Sequence, residues 1–250
     1  MNRLKSLIFA VQFLTIVPLK KDNCVNERVI AGSAMFFPLV GLFLGSVLIL
    51  IDILLVNIFP DYIINIIIVF TLAVITGGLH LDGLADTVDG FYAGKNKAEI
   101  LRIMRDSSIG TMGMLGLACI ILLKIGFLQA LAIPSKYAAL LVMPVLSRWS
   151  MAFSICCFDY AREEGKAKYF FKSPDRLEFI IASLFTCAVV FFIFKWHGLL
   201  LMLLISLSTL IFGIRSRSKI NGITGDTLGA INEINEVLVL LLVYIMQLVM

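Results

Sequence analysis

Long apolar runs broken by short polar stretches dominate the chain, and their lengths set the first expectation. Predominantly hydrophobic segments fall at 33 to 56, 61 to 79, 112 to 132, 137 to 158, 178 to 194, 198 to 214 and 229 to 249. Each is close to the roughly 20 residues a helix needs to cross a bilayer, so the pattern predicts seven transmembrane helices. Met1 to Leu19 opens with Arg3 and Lys5 and continues apolar, as a signal peptide does, but no small-x-small cleavage site follows. It reads instead as a short N-terminal interfacial helix ending near Pro18-Leu19-Lys20-Lys21. The predicted fold class is all-α: a polytopic helical membrane protein formed by residues 1–250 as a single integral membrane domain.

Composition strengthens this reading. Of the 250 residues 60% are hydrophobic and 15% charged, with a mean hydropathy of +1.00, outside the range of soluble domains. The net charge of +4 gives no support to nucleic-acid binding, because in such a chain Lys and Arg chiefly report topology. The polar segments are the N-terminus, 80 to 111, 159 to 177 and 215 to 228. Of the 21 Lys and Arg, Lys136 and Lys195 fall in the opposite connections and Lys124 and Arg148 inside spans; all the rest lie in those four segments. The positive-inside rule places these segments and the N-terminus in the cytoplasm and the C-terminus outside. Lys166, Lys168 and Lys172 would meet anionic lipid headgroups. Five cysteines, mostly in apolar runs, and two histidines, His80 and His197, offer no zinc spacing.

Chemistry concentrates in two stretches on the predicted cytoplasmic face. Asp82, Asp86 and Asp89 stand at i, i+4 and i+7, so a helix would present all three carboxylates on one side. Such mutual repulsion calls for a cation, and oxygen ligands suit Mg²⁺ with substrate phosphates completing its shell. Gly83 and Gly90 remove bulk where a ligand or a second helix comes close. In the second stretch Thr224 is a plausible N-cap, with Asp226, Gly229 and Glu233 on one face of the following helix and Glu236 just beyond. Glu99, Arg102, Arg105 and Asp106 lie on an amphipathic segment whose arginines could clamp a diphosphate. Arg148, about ten residues inside a span, should pair with a carboxylate or line a wet cavity. Arg162 and Glu164 could face the shared site. His80 is more naturally a hydrogen-bonding structural group than a catalyst, though within reach of a phosphate. From spacing alone, three aspartates on a helix also suit a cation transporter.

Several motifs together resemble the cobalamin (5'-phosphate) synthase, or adenosylcobinamide-GDP ribazoletransferase, family over nearly the whole chain. They are Gln12-Phe13-Leu14-Thr15 with Pro18, Phe37-Pro38-Leu39-Val40-Gly41, Gly77 to Gly90, and Ile103-Met104-Arg105-Asp106-Ser107 with Ile109-Gly110-Thr111 and Gly113. Ser147-Arg148-Trp149, Ala161-Arg162 with Glu164-Gly165, and Gly222 to Ala230 with Glu233 and Glu236 complete them. The resemblance implies joining of adenosylcobinamide-GDP to α-ribazole or its 5'-phosphate with release of GMP, dependent on Mg²⁺, in the bacterial cytoplasmic membrane. It implies metal ligands Asp82, Asp86, Asp89 and Asp226, with Asp226 or Glu233 as base. Substrate contacts would come from His80, Arg102, Arg105, Asp106, Ser107, Arg148, Arg162, Glu164, Thr224 and Glu236. Self-association, or association with other enzymes of cobalamin assembly, stays open. A CDP-alcohol phosphatidyltransferase uses related chemistry, but Ala85-Asp86 stands where that pattern has Ala-Arg.

Overall fold

The computed structural model describes residues 3–19, 26–165, 167–171 and 176–249. Among them the chain is helical throughout, apart from turns and one isolated parallel bridge between Tyr160 and Ile223. The helices are α1 (Arg3–Leu14), α2 (Glu27–Ser33), α3 (Phe37–Leu55), α4 (Asp61–Ile75), α5 (Leu79–Ala93) and α6 (Lys97–Ile103), then α7 (Thr111–Ala130), α8 (Ser135–Cys157), α9 (Lys168–Phe171), α10 (Arg176–Phe194), α11 (Trp196–Ile220) and α12 (Gly225–Val249). A 3₁₀ turn, Ala34–Phe36, joins α2 to α3. Six segments are long and apolar enough to cross a membrane: α2 with α3, α7, α8, α10, α11 and α12. The bent pair α4 and α5 makes a seventh when counted as one. Helices suit lipid because they satisfy every backbone N–H and C=O internally, and the outer faces are apolar, with Leu50, Phe70, Leu122, Phe192, Leu203 and Ile211 exposed. The protein is an all-α polytopic membrane protein.

Helix α8 is the axis of the bundle, buried almost continuously from Val142 to Ala152. It meets α3 at Gly41 and Gly45, four residues apart, which let the two backbones touch. A Cβ at Gly45 would lie 2.7 Å from the Leu140 carbonyl, and one at Gly41 would strike the Pro144 carbonyl. Pro144 has no N–H to return to Leu140, so that carbonyl is free to face the neighbouring helix. At the end of the bundle away from α5, Lys136 of α8 and Asp52 of α3 form a buried ion pair. Lys136 therefore belongs to the helix packing rather than to a surface connection.

The N-terminal helix α1 lies on the bundle with Ala10 and Leu14 fully buried and Leu4 exposed. Phe9 and Phe13 pack into an aromatic group with Phe37 and Phe170. Lys20 and Lys21, where this helix was expected to end, lie outside the described residues, as do Lys166 and Lys172.

Two expected boundaries change. The span predicted to run to residue 79 stops at Ile75, and α5 leaves α4 at 87°. Gly77 and Gly78 adopt positive φ (62° and 70°), where a side chain would be strained, and the Gly78 N–H bonds back to the Ala73 carbonyl. The stretch from 215, read as a polar connection, is instead helical as far as Ile220, because Arg215, Arg217 and Ser218 are exposed while Ser216 and Ile220 turn inward.

Candidate active site

The two acidic stretches meet where α5 crosses α12. Both helices carry glycine at the crossing. A Cβ at Gly83 would lie 2.7 Å from the Asp226 carbonyl, and one at Gly229 would lie 3.0 Å from the His80 carbonyl. The contact is backbone on backbone, and it brings Asp226 beside the α5 aspartates. The charges of Asp82, Asp226, Arg162 and Asp89 all act on half-buried Asp86.

Local structure fixes each of these groups. Asn221 (φ 60°) and Gly222 (φ 151°) reverse the chain between α11 and α12, and Ser216 Oγ donates to the Gly222 carbonyl at 2.7 Å. The Thr224 hydroxyl accepts the Thr227 N–H at 3.2 Å while the Thr227 hydroxyl accepts the Thr224 N–H at 2.7 Å, a reciprocal cap for α12. Thr224 is fully buried and acts here as the expected N-cap. The stretch after α8 is bonded alongside this turn, Ala161 N–H to the Ile223 carbonyl (2.8 Å) and Ile223 N–H to the Asp159 carbonyl (2.9 Å). That bridge delivers Arg162 to Asp226, with Nη2 2.6 Å from Oδ2. Burial pushes the phenol of neighbouring Tyr160 up from its ordinary value. Asp89 does a different job: its two oxygens accept the N–H groups of Gly110 (2.7 Å) and Gly113 (2.8 Å), so it caps the start of α7. A carboxylate is favourable there, and each oxygen keeps a lone pair.

Helix α6 forms the basic side of the site. Asn96 accepts the Glu99 N–H to start it, and Gly90 makes room for Met104, whose Cγ would lie 2.6 Å from an added Cβ. Ile100 and Met104 then pack with Ala161 and Ile220, leaving Arg102 and Arg105 exposed. Both line an open depression with Lys97 and Arg162. Asp106 is turned to Ser108, whose N–H and hydroxyl hold its carboxyl below the usual carboxylate range. Ser107 and Glu164 are exposed.

The cluster therefore sets Asp82, Asp86, Asp89 and Asp226 against the Arg162 guanidinium, with further cations alongside. Among the described residues no three Asp, Glu, His or Cys side chains already converge as a closed metal cage. Such an excess of carboxylate next to a cationic groove suits an ion shared with a phosphorylated ligand.

The family profile for cobalamin-5-phosphate synthase (CobS) matches residues 6–244. The chain belongs to this family. Among its relatives, the adenosylcobinamide-GDP ribazoletransferase of Caldanaerobacter subterraneus subsp. tengcongensis is 38% identical over 240 residues, covering 95% of this chain and 97% of the relative. The protein of the same name from Thermoanaerobacter pseudethanolicus is 38% identical over 243 residues, 96% and 97% of the two chains. That from Desulforamulus reducens is 34% identical over 242 residues, 97% of each. No solved structure matches the chain.

In this cobalamin-5-phosphate synthase family member the remaining expected residues form a second, inner cluster. Glu233 and Glu236 lie two to three turns along α12 from Asp226, roughly 10–15 Å into the bundle. Lys124 of α7 reaches both, 2.6 Å from Glu233 Oε2, and Arg148 of α8 pairs with Glu236. Asn232 donates to Glu236 at 3.0 Å. His80 stands near this group, 1% exposed, and neither ring nitrogen has a hydrogen-bond partner among the described residues. The structure thus brings Asp82, Asp86, Asp226 and Arg162 together, with Asp89 on their flank, and sets His80, Arg148, Glu233 and Glu236 apart from them. Lys124 was passed over as a site residue, yet a lone Lys inside an apolar span was itself a signal that a buried carboxylate must meet it.

Proposed function

We propose that this chain transfers the cobinamide phosphate of adenosylcobinamide-GDP to α-ribazole or α-ribazole 5'-phosphate, with release of GMP. The observation that carries the reading is the crossing of α5 and α12, which gathers carboxylates from two stretches of a family member's chain more than a hundred residues apart beside a basic depression. In this reaction a ribose hydroxyl attacks the phosphorus on the cobinamide side of the diphosphate. A new P–O bond forms, the P–O bond to GMP breaks, and the hydroxyl proton passes to a carboxylate. Arg102 and Arg105 hold the diphosphate, because guanidinium forks match phosphate oxygens. Arg162 ties down Asp226 Oδ2 and leaves Oδ1 to accept the proton. Glu233, paired with Lys124 inside the bundle, is not needed for that role.

The carboxylates fit the Mg²⁺ that family resemblance implies. Among the described residues Asp82, Asp86 and Asp226 gather round one guanidinium, Arg162, which is bonded to Asp226; Asp89 keeps free lone pairs, and an ion that retains waters and binds substrate phosphates needs no closed cage. When bound, Mg²⁺ would neutralise charge on the diphosphate and on departing GMP. The end of the bundle bearing the site is the cytoplasmic one by the placement of Lys and Arg, with the N-terminus on that side of the bacterial cytoplasmic membrane.

The test is GMP release by the purified protein, in detergent or liposomes, supplied with adenosylcobinamide-GDP and α-ribazole, with and without Mg²⁺. The expected result is metal-dependent GMP release with formation of a cobalamin. Folded protein that releases no GMP would overturn the reading.

A further inference from the structure

A reaction that joins two large substrates needs two holding places that meet at the reacting atoms. Among the described residues two open depressions lie side by side at the end of the bundle bearing the site, and Arg162, bonded to Asp226, lines both. Their linings differ. On one side are Lys97, Arg102 and Arg105, which outnumber Glu163 in the same lining and make a net cationic wall suited to a diphosphate. On the other are Tyr160, Phe171 and Lys168, with Asp159 beside them. The Tyr160 and Phe171 rings lie 5.2 Å apart, and Tyr160 is fixed by the backbone bridge to Ile223 and closed against Gly165, where a Cβ would strike its hydroxyl. Rigid aromatic faces stack a heterocyclic base at little entropic cost. Lys168, half-buried, gives one N–H to the Glu163 carbonyl and, among the described residues, keeps two for an anion.

We infer, on the footing of the reaction proposed above, that this second depression is the acceptor subsite. The heterocyclic base lies against Tyr160 and Phe171, the ribose hydroxyl points towards Asp226, and Lys168 binds a 5'-phosphate. Lys168 is then a specificity-determining residue rather than a lipid-headgroup contact. Arg162, common to both depressions, marks the line along which donor and acceptor meet.

The experiment measures KM for α-ribazole 5'-phosphate, for α-ribazole and for adenosylcobinamide-GDP with the purified full-length chain. The wild type should bind the phosphorylated acceptor more tightly than the free nucleoside. Lys168→Gln should raise KM for the phosphorylated acceptor about tenfold more than KM for the free nucleoside, as loss of one charge-assisted hydrogen bond implies, and Lys168→Arg should restore the wild-type ratio. An equal change for both acceptors, or a change confined to the donor, would overturn the assignment. So would a wild type that releases GMP but does not favour the phosphorylated acceptor, with the reaction itself still standing. No GMP with either acceptor would remove both.

Discussion

One face of α12 carries two clusters of charge built on opposite terms. Near its start, Asp226 joins Asp82, Asp86 and Asp89 with Arg162 as the cation bonded to it, so negative charge is in excess and half open to water. Deeper in, Glu233 and Glu236 meet Lys124 and Arg148, two against two, all at most 5% exposed. Excess charge in a folded protein persists where a ligand is to supply the balance; balanced charge inside a bundle needs no ligand and holds helices in register. The proposed chemistry belongs to the first cluster. The second fixes α12 against α7 and α8 and so sets the height at which Asp226 meets α5.

The sharpest way to break this contrast is Asp86→Asn. Turnover should fall about a thousandfold, the scale of losing a group that acts on the transition state, while thermal unfolding in detergent stays unchanged or moves up as carboxylate repulsion is relieved. A tenth of wild-type turnover remaining would place Asp86 outside the reaction. In the inner cluster the signs reverse. Glu236→Leu leaves Lys124 and Arg148 sharing one carboxylate and should cost about 3–5 kcal/mol of stability. Lys124→Met combined with Glu233→Leu leaves the Arg148–Glu236 pair intact and should cost less than Lys124→Met alone. Simple additivity in unfolding measurements would mean these four groups are not one network. The smallest effect is expected at the join between the clusters. Gly83→Ala puts a methyl 2.7 Å from the Asp226 carbonyl, so α12 must shift. About 1–3 kcal/mol of stability and one to two decades of turnover should be lost together; loss of either alone would uncouple packing from chemistry.

Much of this was legible in the sequence because its causes are local. Apolar run length locates the spans but not the break after Ile75 or the continuation of α11 to Ile220, and i, i+4, i+7 spacing puts Asp82, Asp86 and Asp89 on one face whatever the rest of the chain does. Gly83 and Gly90 were readable as points of close approach, and α12 and Met104 are what approach them. The unread part is long-range. Nothing near Asp89 announces that it caps a helix starting more than twenty residues later, nor that Arg162 meets Asp226 through a two-residue bridge. The division of the carboxylates was hidden for the same reason: Glu233 and Glu236 look like Asp226 until their cationic partners on α7 and α8 are known. Lys124, Arg148, Asp52 and Lys136 were clues, since charges within or beside apolar runs imply partners. Sequence spacing gives the number of partners needed but not which helix supplies them.

The meeting of α5 with α12 also imposes an order on synthesis. Residues 79–93 and 225–249 leave the ribosome more than a hundred residues apart, roughly ten seconds at ~5–20 residues per second. Once made, α7 and α8 present Lys124 and Arg148 without the glutamates that neutralise them until α12 follows, and α5 waits without the helix that crosses it at Gly83. Insertion of α12 therefore gives α5, α7 and α8 a common packing partner in one step. A chain lacking residues 225–249 would leave Lys124 and Arg148 in apolar helices without the carboxylates they pair with.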